Sequence, residues 1–400
     1  WGIRSSIFWG SVLMKVDFVI PRYGPVGGAE NAVGALARRV AEVSGWQVSL
    51  HATCATSSIS WANEEPAGVQ RYGSLAVNRY LVDSGRTDVW SSLDDRVQSG
   101  TASVDPAIQD EFFFHQGPVS SDLANAVEAS DADLIFFAPY LFWPTMAVAP
   151  LVADRAVIIP AAHDEPFLRL SRVRELLQKS RGLVYGSRAE QRLLQRIHPV
   201  GHLPSTVLGW GIESPSATDP EILKGLGLTD RPYAICVGRI EHAKGTLGLV
   251  EFWRTLKSRS ALNHQLVLVG SPSVQIESDD DVLIAPDVSD HAKWSLLQNA
   301  DFLINPSALE SFSLVLFEAW AAGIPVLVNA YCETTRTHVA EAQGGLCYHN
   351  YPEFEIAVER LASDKSFRDR TAKSGRAFAE AKYGWDTLVR RFTEFCDHVA

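Results

Sequence analysis

Glu310 and Glu318 stand with seven residues between them in the run PSALESFSLVLFEAWAAGIPVL. The pattern predicts a helix with Ser311 as N-cap, stopped by Gly323 and Pro325. In a regular helix eight residues rise about 12 Å. One carboxylate would then stand at the helix mouth and the other two turns deeper. The free N–H groups of Phe312, Ser313 and Leu314 would lie at that mouth, where an anion is favoured. Carboxylates accept from sugar and ribose hydroxyls, and N–H groups hold phosphate, so a nucleotide-sugar suits the arrangement. An ordinary helix with a capping acid and one buried-face Glu has the same spacing.

A second cluster is VGRIEHAKG, where Arg239 ends an expected strand and Lys244 precedes Gly245 and a helix. Two cations at the carboxyl end of a parallel strand suit a diphosphate and the charge it gains on leaving. Two solvated charges at a strand–helix turn would look alike. A third is GPVGGAE, where Gly27 and Gly28 let backbone approach a ligand ahead of the first helix. It is not GxGxxG, and no acid plays the ribose role after the second strand, which disfavours a dinucleotide cofactor. His163 ends the strand-like run VIIPAAH, and Asp164 and Glu165 follow it.

The elements that must position these residues alternate in type. KVDFVIP reads as a strand, and Val33, Leu36, Ala37, Val40 and Val43 recur at helical spacing up to a stop at Gly45. Residues 134–142 and 155–163 are continuous apolar runs of the parallel-strand kind. From residue 233 onward strand and helix alternate again, with strands at 233–239, 264–270, 301–307 and 324–330. The expected fold class is α/β, with two Rossmann-like, doubly wound parallel-sheet domains facing across a cleft. The expected boundaries are 15–208, a linker at 209–231, 232–384, and a C-terminal helix at 385–400. Ligands of such sheets bind beyond the carboxyl ends of the strands, here at 22–30 and after residues 159, 237 and 305.

Composition bounds the rest. A net charge of −11 argues against nucleic-acid binding by bulk electrostatics. The five cysteines are scattered without CxxC pairing, which fits a reducing, cytoplasmic setting. No run approaches the ~20 apolar residues that span a bilayer. The opening segment WGIRSSIFWGSVLM reads as an unstructured extension. Residues 166–198 hold eight basic and two acidic residues, Arg169, Arg172, Arg174, Lys179, Arg181, Arg188, Arg192 and Arg196 against Glu175 and Glu190. Such a face could rest on anionic lipid, although a charge run is usually solvated.

Taken together, the Gly27-Gly28-Ala29-Glu30 loop, the Gly238-Arg239 to Lys244-Gly245 turn and the Glu310–Glu318 pair resemble glycosyltransferase family 4, whose fold is GT-B. The resemblance runs from about Lys15 to the C-terminus and is densest over 233–330. It implies retaining transfer from a nucleotide-sugar donor to a glycan or lipid-linked acceptor, with no cofactor and no required metal. It also implies that Arg239 and Lys244 hold the diphosphate, that Glu310 contacts the transferred sugar and that Glu318 contacts the ribose. The Gly28 loop would close over the phosphates, and His163 would lie near the reacting centre. By the same resemblance, the acceptor attacks on the face the phosphate leaves. Family members often carry glycine where this chain has Ile284-Ala285-Pro286, which leaves the base open among UDP, GDP and others. A sugar phosphorylase, a nucleotide-sugar epimerase and an inactive binding scaffold remain the alternatives.

Overall fold

The structure is a computed structural model that describes residues 14–24, 26–100, 105–213, 215, 217–286 and 288–400. The opening extension lies outside them except for Met14, which is buried in the core. Among the described residues the chain forms two sheets, of eight and six strands.

The first domain runs β1 (Lys15–Val19), α1 (Gly28–Val43), β2 (Gln47–Thr53), β3 (Gly68–Tyr72), β4 (Leu75–Tyr80), α2 (Trp90–Gln98), α3 (Pro106–Gln116), α4 (Ser121–Glu128), β5 (Leu134–Phe137), β6 (Ala156–Ile158), α5 (Ser171–Lys179), β7 (Gly182–Tyr185), α6 (Arg188–Ile197) and β8 (Ser205–Val207). Its sheet order is β3-β4-β2-β1-β5-β6-β7-β8. All neighbours pair in parallel except the β3–β4 hairpin. Strands β5, β6 and β7 are buried along their whole length, as expected where helices cover both faces. One stripe of α1 (Val33, Leu36, Ala37, Val40) is buried, while Val43 at its last position is exposed.

The second domain begins with α7 (Pro220–Gly225) and continues β9 (Tyr233–Val237), α8 (Thr246–Arg259), β10 (Gln265–Val269), β11 (Val282–Ala285), α9 (Asp290–Asn299), β12 (Phe302–Asn305), α10 (Leu314–Ala322), β13 (Val326–Asn329), α11 (Glu333–Ala342), β14 (Gly345–Tyr348), α12 (Tyr351–Ser363), α13 (Lys365–Tyr383) and α14 (Trp385–Val399). Its order, β11-β10-β9-β12-β13-β14, is wholly parallel.

The last helix returns to the first domain. Phe392 of α14 lies against Phe18 of β1 and Phe136 of β5, at ring-centroid distances of 5.8 and 4.9 Å. Arg391 donates to the Leu208 carbonyl at 2.7 Å and to the Lys382 carbonyl at 3.2 Å. The chain therefore crosses between domains twice, after β8 and at Gly384, and the two crossings are bonded to each other.

α10, which follows the expected site loop, is held by α13 through Trp320. Its indole N–H donates to the Gly344 carbonyl at 2.9 Å. A Cβ on Gly375 of α13 would lie 2.3 Å from Trp320 Cδ1. Replacing a helical glycine with alanine gains about 1 kcal/mol of propensity, whereas overpacking a closed core costs about 1–3 kcal/mol. The ring is fully buried and pinned, so the clash outweighs the gain. Gly375→Ala is expected to lower the thermal midpoint, and a raised midpoint in a melting experiment would contradict this packing.

Candidate functional site

The site grows from the turn after β9. Gly245 takes the left-handed conformation at φ 73°, and a Cβ there would lie 2.8 Å from the Pro306 carbonyl oxygen. Glycine thus lets the Lys244 turn lie directly on the loop between β12 and α10. Lys244 Nζ consequently donates to Glu310 Oε1 at 2.8 Å, across 66 residues of sequence. Arg239 lies in the same turn after β9; it is largely exposed and paired with Glu241 at 3.1 Å.

Asparagine side chains hold the loop that carries Glu310. Asn305 Nδ2 donates to Ser313 Oγ at 2.8 Å, and its Oδ1 accepts from the Ser307 N–H at 2.9 Å. Asn329 Nδ2 donates to the Pro306 carbonyl at 2.9 Å. These anchors change the expected cap. The helix starts at Leu314, and Ser313 rather than Ser311 is its N-cap, in a left-handed conformation without a side-chain cap bond. The cause is local: Asn305 takes the Ser313 hydroxyl, and Phe312 turns into the core, so helical geometry begins later than expected. Phe312 is 2% exposed and stacks on Phe317 at 4.4 Å, so its side chain serves packing. Glu310 precedes the helix by four residues, and Glu318 lies about one turn inside it.

Glu318 is paired with Lys293 of α9 at 2.8 Å. Burial works against the Lys293 charge, but Glu318 and Asp290 outweigh it and raise the ammonium pKa. Lys293 escaped the sequence reading because it lies inside an ordinary helical run with no turn or glycine beside it.

The first domain meets this cluster at Gly28. A Cβ there would be 4.0 Å from Leu314 Cδ1, so the Gly27-Gly28 end of α1 faces the start of α10 across the cleft. Below it Glu30 is buried and receives Nε and Nη2 of Arg22 at 2.8 and 2.6 Å. That pair fixes the loop and leaves Glu30 no free carboxylate oxygen beyond Oε2.

His163 follows β6 in a loop whose Ala161 has φ 52°. Its recorded ion contact is Glu165, 3.4 Å from Nδ1, and not the Lys244–Glu310 cluster. Glu165 also accepts from the Tyr140 hydroxyl at 2.6 Å. Burial raises the Glu165 pKa, and His163 pulls it back in part. Asp164 turns outward to Arg169 and Arg196. The loop is tied down by Glu190, which is 1% exposed and accepts from the Ala162 and Gly186 N–H groups, each at 2.6 Å. Ser187 Oγ accepts from the Glu190 N–H at 3.1 Å, a capping box legible as Ser-x-x-Glu. Burial pushes the Glu190 carboxyl up to about 7, against the pull of its backbone donors.

The basic run is largely spoken for. Arg169, Arg172, Arg192 and Arg196 pair with carboxylates, and Arg181 donates to the Val399 carbonyl. Among the described residues no helix is long and apolar enough to cross a membrane.

Comparison with known proteins adds to this geometry. Residues 219–378 match the family described as Glycosyl transferases group 1. A D-inositol 3-phosphate glycosyltransferase of Stackebrandtia nassauensis is 27% identical over 56% of this chain and 56% of that protein. The chain spans about half the length of the curated relatives it matches. Among solved structures, sucrose-phosphate synthase from Thermosynechococcus elongatus superposes with a TM-score of 0.70 at 16% identity, covering 96% of this chain and 99% of that one. Anabaena HepE in complex with UDP and glucose gives 0.65 at 14% identity, covering 96% and 100%. The fold is therefore GT-B, with two parallel-sheet domains.

The Glu190 shift makes stability depend on pH. A carboxyl raised from 4.5 to about 7 favours the folded state most below pH 4.5, and this contribution is lost as pH rises toward 7. The change is about 3 kcal/mol. In urea unfolding, the stability of wild type relative to Glu190→Gln should fall between pH 4.5 and 7. A flat difference over that range would contradict the assignment.

Proposed function

We propose that the protein is a retaining glycosyltransferase that moves a sugar from a nucleoside-diphosphate donor to a glycan or lipid-linked acceptor. The observation that carries this reading is the contact of Lys244 with Glu310 beyond the carboxyl end of the second sheet, where Gly28 of the first domain faces Leu314 at the start of the helix that follows Glu310. The family match over 219–378 falls on that half of the site.

The pairing of Lys244 with Glu310 suggests how a donor would be received. An ammonium has three N–H donors and Glu310 takes one of them. A diphosphate arriving beside Arg239 would compete for Lys244 and draw it toward phosphate oxygens. Glu310 would then be free to accept from the hydroxyls of the transferred sugar. Glu318, relayed by Lys293, would face the ribose. Cations fixed beside the departing phosphate stabilise the charge it gains, which is where such groups act most strongly. The acceptor would enter from the first domain past His163 and attack on the face the phosphate leaves, and that phosphate would take the hydroxyl proton.

Work on cell-surface polysaccharide or glycolipid, on the cytoplasmic side of a membrane, is part of the same proposal. Peripheral contact through 166–198 rests on Arg174 and Lys179, exposed on α5. No metal or cofactor is assigned a role.

Melting the full chain with UDP, GDP, dTDP and ADP, each free and as its sugar, tests the reading. A native-state ligand at a hundred times its Kd stabilises by about 2.7 kcal/mol. One nucleotide family should raise the midpoint, and Lys244→Gln should abolish most of the rise. With the donor so identified, Glu310→Gln should cut transfer by about a hundredfold or more while melting like wild type. No shift from any nucleotide, or undiminished turnover in Glu310→Gln, would refute the proposal.

A further inference from the structure

On the flank where the two domains are joined lies a second cavity, of about 250 Å³, that shares no residue with the Arg239–Lys244–Glu310 cluster. Arg188 enters it from α6 of the first domain. Thr334, Thr337 and His338 enter from α11 of the second, and Lys382 and Arg391 flank the crossing at Gly384.

The cavity carries uncompensated positive charge. Lys382 donates to Glu341 at 2.7 Å, which accounts for the one carboxylate in its lining. Among the described residues Arg391 donates to backbone carbonyls only, of Val207, Leu208 and Lys382, so its charge is not neutralised by them. Arg188 is exposed. It lines the cavity together with Glu341 and Tyr383. Three cations around one acid leave a net charge near +2, and two threonine hydroxyls stand beside them.

His338 also lines the cavity and is 4% exposed. Burial lowers its pKa to about 4, so the ring is neutral near pH 7 and adds no charge there. Its Nε2 is sealed from the cavity space. The cavity therefore favours an anion with several oxygens, which can meet more than one cation and accept from the threonine hydroxyls. Hydrogen phosphate and small phosphate monoesters have that form; chloride shares only the charge.

We propose that this interdomain cavity binds a phosphate group, free or as a small monoester, through Arg188, Lys382, Arg391 and the threonine hydroxyls. The ligand would bridge Arg188 of one domain to α11 and Lys382 of the other and so favour the arrangement that keeps them together. It would also reach the donor loop, because His338 lies 5.1 Å from the Phe312 ring, two residues from Glu310. The site stands whether or not the transferase reading does, since it uses none of the donor residues.

Calorimetric titration of the full chain, without nucleotide, tests the site. Inorganic phosphate and glycerol 1-phosphate are injected in turn, with sodium chloride of equal ionic strength as the control. Saturable binding is expected for one or both phosphates and not for chloride, and the tighter of the two identifies the free ion or the ester as ligand. Arg188→Gln, an exposed change that should leave folding intact, is expected to weaken it at least tenfold, and Lys244→Gln to leave it unchanged. Heat no different from chloride would overturn the site, as would binding that survives Arg188→Gln. Loss of binding in Lys244→Gln would move the anion to the donor cleft and overturn it equally.

Discussion

Phe312 is the side chain on which the relation of the two domains depends. It comes from the second domain, between Glu310 and α10, yet it packs at the point where the chain crosses over. Its ring stacks on Phe317 and meets His338 and Tyr383 edge-on at 5.1 and 5.3 Å. Gly186 of the first domain and Gly209, where the linker begins, come within ordinary contact of it: Cβ atoms there would lie 3.6 Å from Phe312 Cβ and 3.4 Å from its ring. At Gly209 such a Cβ would first strike Tyr383, at 2.1 Å. Burying a phenylalanine contributes about 1.5–3 kcal/mol, and here it ties the loop that carries Glu310 to the segment where the chain crosses over.

The electrostatics of the cleft follow from that loop. Glu310 and Glu318 each face a lysine at 2.8 Å, Lys244 and Lys293, and Arg239 faces Glu241. Each cation has a carboxylate that holds it in place without occupying all its donors. An anionic ligand can then be met by rearranging partners rather than by ordering free side chains, which lowers the entropic cost of binding. On the opposite wall Arg22 and Glu30 form a buried pair that shapes the Gly27-Gly28 turn. The two walls thus differ: the second domain offers exchangeable charges, and the first offers backbone.

The sequence announced the features that rest on local pattern. Alternating strands and helices gave the two parallel sheets, and glycine at Gly245 and Gly323 marked turns that the structure places in the left-handed region. Lys244 and Glu310 both lie in turns expected after strands, and their contact comes from β9 and β12 being neighbours in the sheet. What escaped depends on contacts between distant segments. The N-cap moved from Ser311 to Ser313 because Asn305, eight residues earlier, takes the hydroxyl. Phe312 was read for its N–H, since nothing local reveals that its ring faces the other domain. Lys293 lies inside a helix and acquires its role only through Glu318, and Glu190, whose cap with Ser187 is local, also reaches the Ala162 N–H 28 residues away. Strands β11 and β14 were hidden by their flanks, an acidic run before Val282 and a glycine at Gly345, although β12 and β13 are equally short. The return of α14 to the first domain has no local signature, because its apolar face would suit either sheet.

In the proposed reading one nucleotide-sugar is held at once by the Lys244–Glu310 loop and by the Gly28 turn. Hydrogen–deuterium exchange of the full chain, with and without a saturating donor, measures this contact. Amides in 26–31, 238–245 and 307–316 are expected to slow together when the donor binds. Protection confined to one domain, or falling outside these three segments, would contradict it.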